Sequence, residues 1–255
     1  MAIIALKAWY LEEYEPIREV MKRPHDLRLS KSSLLKSGLR ADFLDERDQV
    51  EQANWFQRYL EGETVEFYIE GSGGYQIANI DLISQEIYFV KQEVSALLDP
   101  IIYFSFQQEY PSAYEALQEA LGEVIETFNH KARIPLSLEL SVRPKDNPLR
   151  LSNTQLRKIR KSLVFIADGT PVAQVPGEKT PMLLPSPTIS VELGYALQCK
   201  RREQILLTRM EQPWEGYYPF DLPQPQQLLF QSSAELKATF PQVLEVMLQR
   251  FNLLV

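Results

Sequence analysis

Residues 156–170 read LRKIRKSLVFIADGT. A basic stretch with helical spacing runs into Leu163–Asp168, a short apolar run that ends on an acid. Such a run is expected for a strand buried on both faces, and strands of that kind belong to parallel sheets covered by helices. Ser152 or Asn153 is placed to cap the helix through Lys161. Working outward, Pro100–Phe106 (PIIYFSF) and Ile134–Val142 have the same strand character. Between them, Ser112–Ala132 carries Leu117, Ala120, Leu121, Val124, Ile125 and Phe128 at helical spacing. Downstream come a Pro-rich loop to about Pro187, a helix through Gln198, strands at Glu203–Thr208 and Gln227–Phe230, and a last helix from Ser232 or Ser233. The alternation predicts an α/β domain over 98–255 with a flavodoxin-like, parallel five-stranded sheet of order 2-1-3-4-5.

Residues 1–95 read differently, as a small α+β domain. A strand is expected at Ala2–Tyr10, a helix at Glu12–Lys22, and helical pieces at Ser33–Leu44 and Val50–Leu60. Period-two alternation then predicts a three-stranded meander over Thr64–Glu70, Gly74–Asp81 and Glu86–Gln92. Gly71-Ser72-Gly73-Gly74 is expected to be its tight turn; it lacks the Lys-Ser/Thr of a phosphate loop, and no helix follows it.

Bulk properties narrow the function classes. A net charge of −7 argues against nonspecific nucleic-acid binding, although a local basic patch stays compatible with it. One cysteine, Cys199, precludes an intrachain disulfide, and His25 and His130 offer no zinc-ligand spacing. The opening MAIIALKAWYLEEYEP turns acidic too soon for a secretory signal. No apolar run reaches the roughly 18 residues needed to span a bilayer. A cytoplasmic protein is expected, with no membrane or nucleic-acid partner and with homo-oligomerisation open.

In an open parallel sheet the ligand crevice lies beyond the carboxyl ends of the strands, where the strand order reverses. That selects the loop after Phe106, the loop after Asp168 and the helix start near Glu192. Here the pieces Ala167-Asp168-Gly169-Thr170, Pro187, Glu192-Leu193-Gly194-Tyr195-Ala196, Ile205-Leu206-Leu207 and Pro219-Phe220-Asp221 resemble, in their order, the TIR-like and nucleoside-deoxyribosyltransferase-like superfamily, especially its bacterial nucleotide-binding members. The resemblance covers about residues 98–255 and none of the N-terminal part. It implies a nucleotide- or nucleoside-binding module of sensor, regulatory or defence type. Alternatively it implies an enzyme that cleaves the base–ribose bond of NAD or a nucleoside, with the family's glutamate at Glu192. A carboxylate beside C1′ can stabilise an oxocarbenium ion or attack it. Two family asparagines are replaced, by Ser186 and Thr188.

The ligand-binding candidates are Ser105, Phe106, Asp168, Thr170, Ser190 and Tyr195, with Glu192 as the catalytic candidate. No metal is assigned, and NAD or another nucleotide is the ligand considered. Each has a structural counterpart. Glu192 falls in the first turn of a helix, where an acid is favoured by about 0.3–1 kcal/mol. Asp168 can cap the turn that follows it. Gly194 is expected to pack closely against the sheet, and Asp221 to serve a turn. Arg143, Lys145, Arg150, Arg157, Lys158, Arg160 and Lys161 form a basic stretch that can hold phosphates but reads better as a solvated face, as does Lys200-Arg201-Arg202. Trp214, Tyr217 and Tyr218 read as an aromatic lid over the core or as stacking groups. A ligand-free scaffold is the third reading of the whole domain.

Overall fold

The structure is a computed structural model that describes residues 5–34, 39–45, 47–143, 151–219 and 222–254. The chain divides into two compact units, Met1–Leu98 and Asp99–Val255.

In the first unit the expected three-stranded meander is present, at Glu66–Ile69, Gly73–Asp81 and Glu86–Lys91, but as half of a larger sheet. It is a closed, six-stranded antiparallel barrel in the order β1-β2-β3-β6-β5-β4, with β4 pairing back to β1. The strands are β1 (Ala5–Tyr10), β2 (Leu27–Leu34), β3 (Leu39–Leu44), β4 (Glu66–Ile69), β5 (Gly73–Asp81) and β6 (Glu86–Lys91). Helices α1 (Ile17–Val20), α2 (Arg47–Gln52) and α3 (Asn54–Leu60) complete it. The helix expected at Glu12–Lys22 shrinks to the single turn of α1. The helix expected at Ser33–Leu44 is instead the end of β2 and all of β3.

The reason lies in what β3 turns inward. Arg40 and Asp42 are buried, and Leu44 on the same face joins the barrel core. Arg40 Nη2 donates to Asp42 Oδ1 at 2.8 Å and its Nε to Oδ2, while Nη1 reaches Ser72 Oγ at 2.8 Å. Two charges thus occupy positions that an alternation test needs to be apolar. The core beneath is aromatic: Trp55 of α3 meets the Phe67 ring edge-on at 5.1 Å. Closing the sheet leaves the barrel no open strand edge.

The second unit is a five-stranded, fully parallel sheet with helices on both faces. Its strands are β7 (Asp99–Ser105), β8 (Ser137–Leu140), β9 (Ser162–Asp168), β12 (Ile205–Met210) and β13 (Gln227–Phe230), in the order β8-β7-β9-β12-β13. All seven residues of β9 are buried. Helices α5 (Asn153–Lys161) and α6 (Pro187–Cys199) pack together over Tyr103, Phe165, Ala167, Ile205 and Leu207. Helices α4 (Pro111–Asn129) and α7 (Ser233–Gln249) pack against each other over the residues of opposite parity. Ser152 caps α5 with Gln155 as its reciprocal partner, and Ser232 caps α7.

The Pro-rich segment contains an element absent from the sequence reading, a hairpin of β10 (Ala173–Val175) and β11 (Met182–Leu184). Tyr217 bridges onto it through Leu183 and Pro181. Among the described residues, no helix is long and apolar enough to cross a membrane.

Candidate functional site

The carboxyl ends of β7, β8, β9 and β12 gather an unusual number of buried polar side chains: Ser105, Gln107, Ser141, Asp168, Thr170, Glu192 and Thr208. Burying such groups costs free energy unless each finds a partner, so their bonding decides what the rim can do.

Glu192 points inward from α6 and is fully buried. Ser105, the last residue of β7, donates to its Oε2 at 2.5 Å. Arg143, just beyond β8, donates Nη1 to Oε1 and Nη2 to Oε2, both at 2.9 Å. The Arg143 side chain is only 5% exposed. Its Nε donates to the Phe106 carbonyl at 2.6 Å, and its guanidinium lies 5.1 Å from the Phe106 ring. This corrects the reading of Arg143 as part of a solvated basic face. The planar fork of arginine matches a carboxylate bidentately, so both oxygens of Glu192 are occupied. Tyr103, two residues before Ser105 on the same face, keeps a buried hydroxyl with no partner. Burial, and then the nearby Glu192 charge, push its phenol well above the ordinary range.

Asp168 closes β9 and is fully buried. Its Oδ1 accepts the Thr170 backbone N–H at 3.0 Å, the expected turn-capping bond. Its Oδ2 has no hydrogen-bond partner. Burial raises this carboxyl from 3.8 to about 6; Thr170 and Gln107 pull it back down, and the Glu109 charge adds to the rise. The loops around it are tied together by Gln107. Its Nε2 donates to the Thr170 carbonyl at 2.6 Å and its Oε1 accepts the Ser186 N–H at 2.9 Å. Ser186 Oγ donates to Glu109 at 2.6 Å and lies 3.0 Å from Thr188 Oγ1. Ser186 and Thr188 therefore bind each other, and Ser186 binds the loop after β7.

The remaining candidates separate. Phe106 is buried against Tyr114, with ring centroids 4.6 Å apart, so it packs inward. Thr170 is buried, and its Oγ1 accepts the Met210 N–H at 3.0 Å. Ser190 Oγ turns back onto the Ser186 carbonyl at 3.3 Å. Tyr195 packs with Cys199 and feels the Arg160 charge, toward α5. Gly194 does not pack as expected: it is exposed, and a Cβ there would meet nothing within 4 Å. Trp214 and Tyr217 are exposed, whereas Tyr218 is half-buried and donates to the Gly169 carbonyl. Phe220, Asp221, Lys145 and Arg150 lie outside the described residues.

Sequence reasoning missed Gln107, Ser141 and Tyr103, and gave Arg143 the wrong environment. It also passed over Arg209 of β12, whose guanidinium lies 4.2 Å from the Tyr218 ring. No group of three His, Cys, Asp or Glu able to hold a metal ion occurs among the described residues. On the barrel, a cavity of about 230 Å³ is lined by His25, Asp26, Arg28, Asp45 and Gln49 over Leu27, Leu44 and Val50. Its acids are engaged, Asp26 by the Tyr10 N–H and Asp45 by Ser30 and Arg28. The chain matches no protein-family model, no curated protein and no solved structure.

Proposed function

We propose that the α/β unit is a nucleotide- or nucleoside-binding module of the TIR-like and nucleoside-deoxyribosyltransferase-like kind, with a flavodoxin-like sheet, and that it recognises its ligand without consuming it. The observation that carries this reading is the unpartnered Oδ2 of Asp168. A buried carboxylate oxygen with nothing bonded to it is an acceptor in reserve, and it stands at the carboxyl end of a central parallel strand, where open α/β sheets take their ligands. A ribose hydroxyl or a base N–H satisfies it. Glu192 supports binding over catalysis. Arg143 neutralises its charge and, with Ser105, hydrogen-bonds both of its oxygens, which weakens it as a nucleophile and as a stabiliser of positive charge at C1′.

The test is a thermal-shift screen of nucleosides, nucleotides and NAD, with chromatography of the same mixtures. A ligand at 100 times its dissociation constant adds about 2.7 kcal/mol, a melting shift of several degrees. A shift without new products is expected. Release of free base or nicotinamide moves the assignment to the enzymatic reading. A panel that shifts nothing removes both and leaves the scaffold.

A further inference from the structure

Helix α6 has an outer face without charge. Its single charged residue, Glu192, points inward, which leaves an exposed stripe of Pro187, Val191, Gly194 and Leu197. Val191 is 53% exposed and Leu197 38%. A surface helix ordinarily turns charged and polar groups to water. Gly194 lies in the middle of the stripe with open space over it. An interior glycine weakens a helix relative to alanine, and no contact within the chain accounts for this one. Bare backbone between two apolar side chains lets a second helix come close. Beside the stripe runs a cationic row. Helix α5 packs on α6 and exposes Arg157 and Arg160. Arg160 is near enough to act electrostatically on Tyr195 and Cys199 of α6. Lys158 is taken by Glu139, but among the described residues no carboxylate forms an ion pair with Arg157 or Arg160.

The other face of the same sheet has the opposite sign. Every charged residue of α4 is an acid: Glu115, Glu119, Glu123 and Glu126, all exposed. Lys237 of α7 takes Glu119 and Glu123 at 2.9 and 2.7 Å, whereas Glu115 and Glu126 have no ion-pair partner among the described residues. Positions 115, 119, 122 and 126 fall on one helical stripe, and Gly122 again has open space over it. Alongside, α7 turns Ala234, Ala238 and Val246 outward. Each face of the unit thus joins an uncharged helix stripe to a charged row, and the two rows have opposite signs.

We propose that the α5/α6 face of one α/β unit docks on the α4/α7 face of a second copy of this chain, head to tail. The connectivity brings like to like for packing and unlike to unlike for charge. Helix α4 joins β7 to β8 and α5 joins β8 to β9, so both lie toward the β8 edge of the sheet; α6 joins β9 to β12 and α7 follows β13, toward the other edge. Stacking one unit on the next therefore sets the α5 arginines over the α4 glutamates, and the α6 stripe over the α7 stripe. Pairing either face with its own copy instead brings like-charged rows together, which is unfavourable. The net charge of −7 makes two copies repel overall, but at physiological salt charges are screened beyond about 8 Å, so the facing rows decide. A contact between two different faces does not use itself up, and the assembly stays open to further copies.

Sedimentation velocity of the full chain at physiological salt tests the stack, from about 1 μM to about 1 mM, to cover micromolar to millimolar dissociation constants. The mean mass rises with concentration past that of a dimer. Arg157→Glu with Arg160→Glu stays a monomer, and so does Glu115→Arg with Glu126→Arg. Mixed together, or with all four changes in one chain, they assemble again, because the facing rows once more differ in sign. Gly194→Trp, at a position where a Cβ meets nothing within 4 Å, also stays a monomer, because its bulk holds the helices apart. It decides the matter if a charge-reversed chain fails to melt cooperatively. A wild-type chain that remains monomeric throughout overturns the proposal. So does a mass that stops at the dimer, and so does growth that survives both reversals. If the wild-type monomer instead co-sediments with phosphatidylserine vesicles and Arg157→Glu with Arg160→Glu does not, the α5/α6 face belongs to an anionic membrane and the stack falls.

Discussion

Arg143 and Glu192 form a buried pair whose removal has a computable cost. Arg143→Met deletes two charge-assisted bonds to Glu192 and the bond to the Phe106 carbonyl. Glu192 is then left fully buried with Ser105 as its remaining donor. Breaking a buried pair from one side costs about 3–5 kcal/mol, because the surviving charge is unpaired. Glu192→Gln carries a penalty of the same order from the other side. Removing both charges together, as Arg143→Met with Glu192→Leu, is expected to be near neutral, since well-packed apolar replacements of buried pairs often match or exceed them. With Glu192→Leu measured as the second single variant, two losses of about 3–5 kcal/mol and a near-neutral double give a coupling of about 6–10 kcal/mol. Urea titration followed by hydrogen exchange of β7 and β9 peptides reads this unit separately from the barrel. In melting experiments the single variants drop by roughly 6–20 °C, at about 2–4 °C per kcal/mol. A cost below about 1 kcal/mol for Arg143→Met refutes the brace and means that Glu192 is solvated in solution.

Asp168 makes stability depend on pH. Its folded value near 6 lies above the ordinary 3.8, so the folded chain binds a proton that the unfolded chain has released. The contribution is present below pH 3.8 and is lost as pH rises through about 6; at 1.36 kcal/mol per pH unit this amounts to roughly 3 kcal/mol. Asp168→Asn flattens that slope and stabilises the unit at pH 7.5, and an unchanged slope counts against the orphaned oxygen. Gly194→Ala meets no neighbour within 4 Å and raises stability by up to about 1 kcal/mol; a loss in urea titration indicates packing not seen in the structure. Ser152→Ala removes the Oγ half of the α5 capping box and leaves the backbone N–H of residue 152 on Gln155 Oε1; it costs about 1 kcal/mol, visible as faster amide exchange at Gln155.

The α/β unit was legible because its signals are local. Leu163–Asp168 announces a doubly buried strand by composition alone, and the α4 face repeats at 3.6 residues. The barrel was less legible because its inward positions on β3 are Arg40 and Asp42, which cancel each other's charge inside the wall. Arg143 was misjudged for a related reason. A lone arginine between Val142 and a proline carries no trace of a partner 49 residues away in α6. Gly194 misled in the opposite direction, since its cost in a helix suggested a close approach that the fold does not make. In each case the deciding interaction is tertiary, and neither periodicity nor motif encodes it. The position of the rim was readable from strand order and the acids at strand ends. Which of those acids is free was not.

That last distinction sets the order of importance at the site. Glu192 and Asp168 share one rim, both fully buried, yet both oxygens of Glu192 accept hydrogen bonds and one oxygen of Asp168 accepts none. A ligand that needs a free Glu192 must first undo contacts worth about 3–5 kcal/mol. At 1.4 kcal/mol per tenfold, that weakens its affinity by roughly a hundredfold to several thousandfold. A ligand that reaches the buried Asp168 Oδ2 breaks no ion pair and relieves an unsatisfied acceptor. Asp168→Asn is therefore expected to lower affinity for the best nucleoside or nucleotide by tenfold or more. Glu192→Gln, assayed at low temperature where the weakened unit remains folded, leaves affinity within about threefold. The reverse ranking in calorimetric titration would place the ligand on Glu192, with Arg143 released to its anionic group, and would restore Glu192 as the residue beside the reacting carbon.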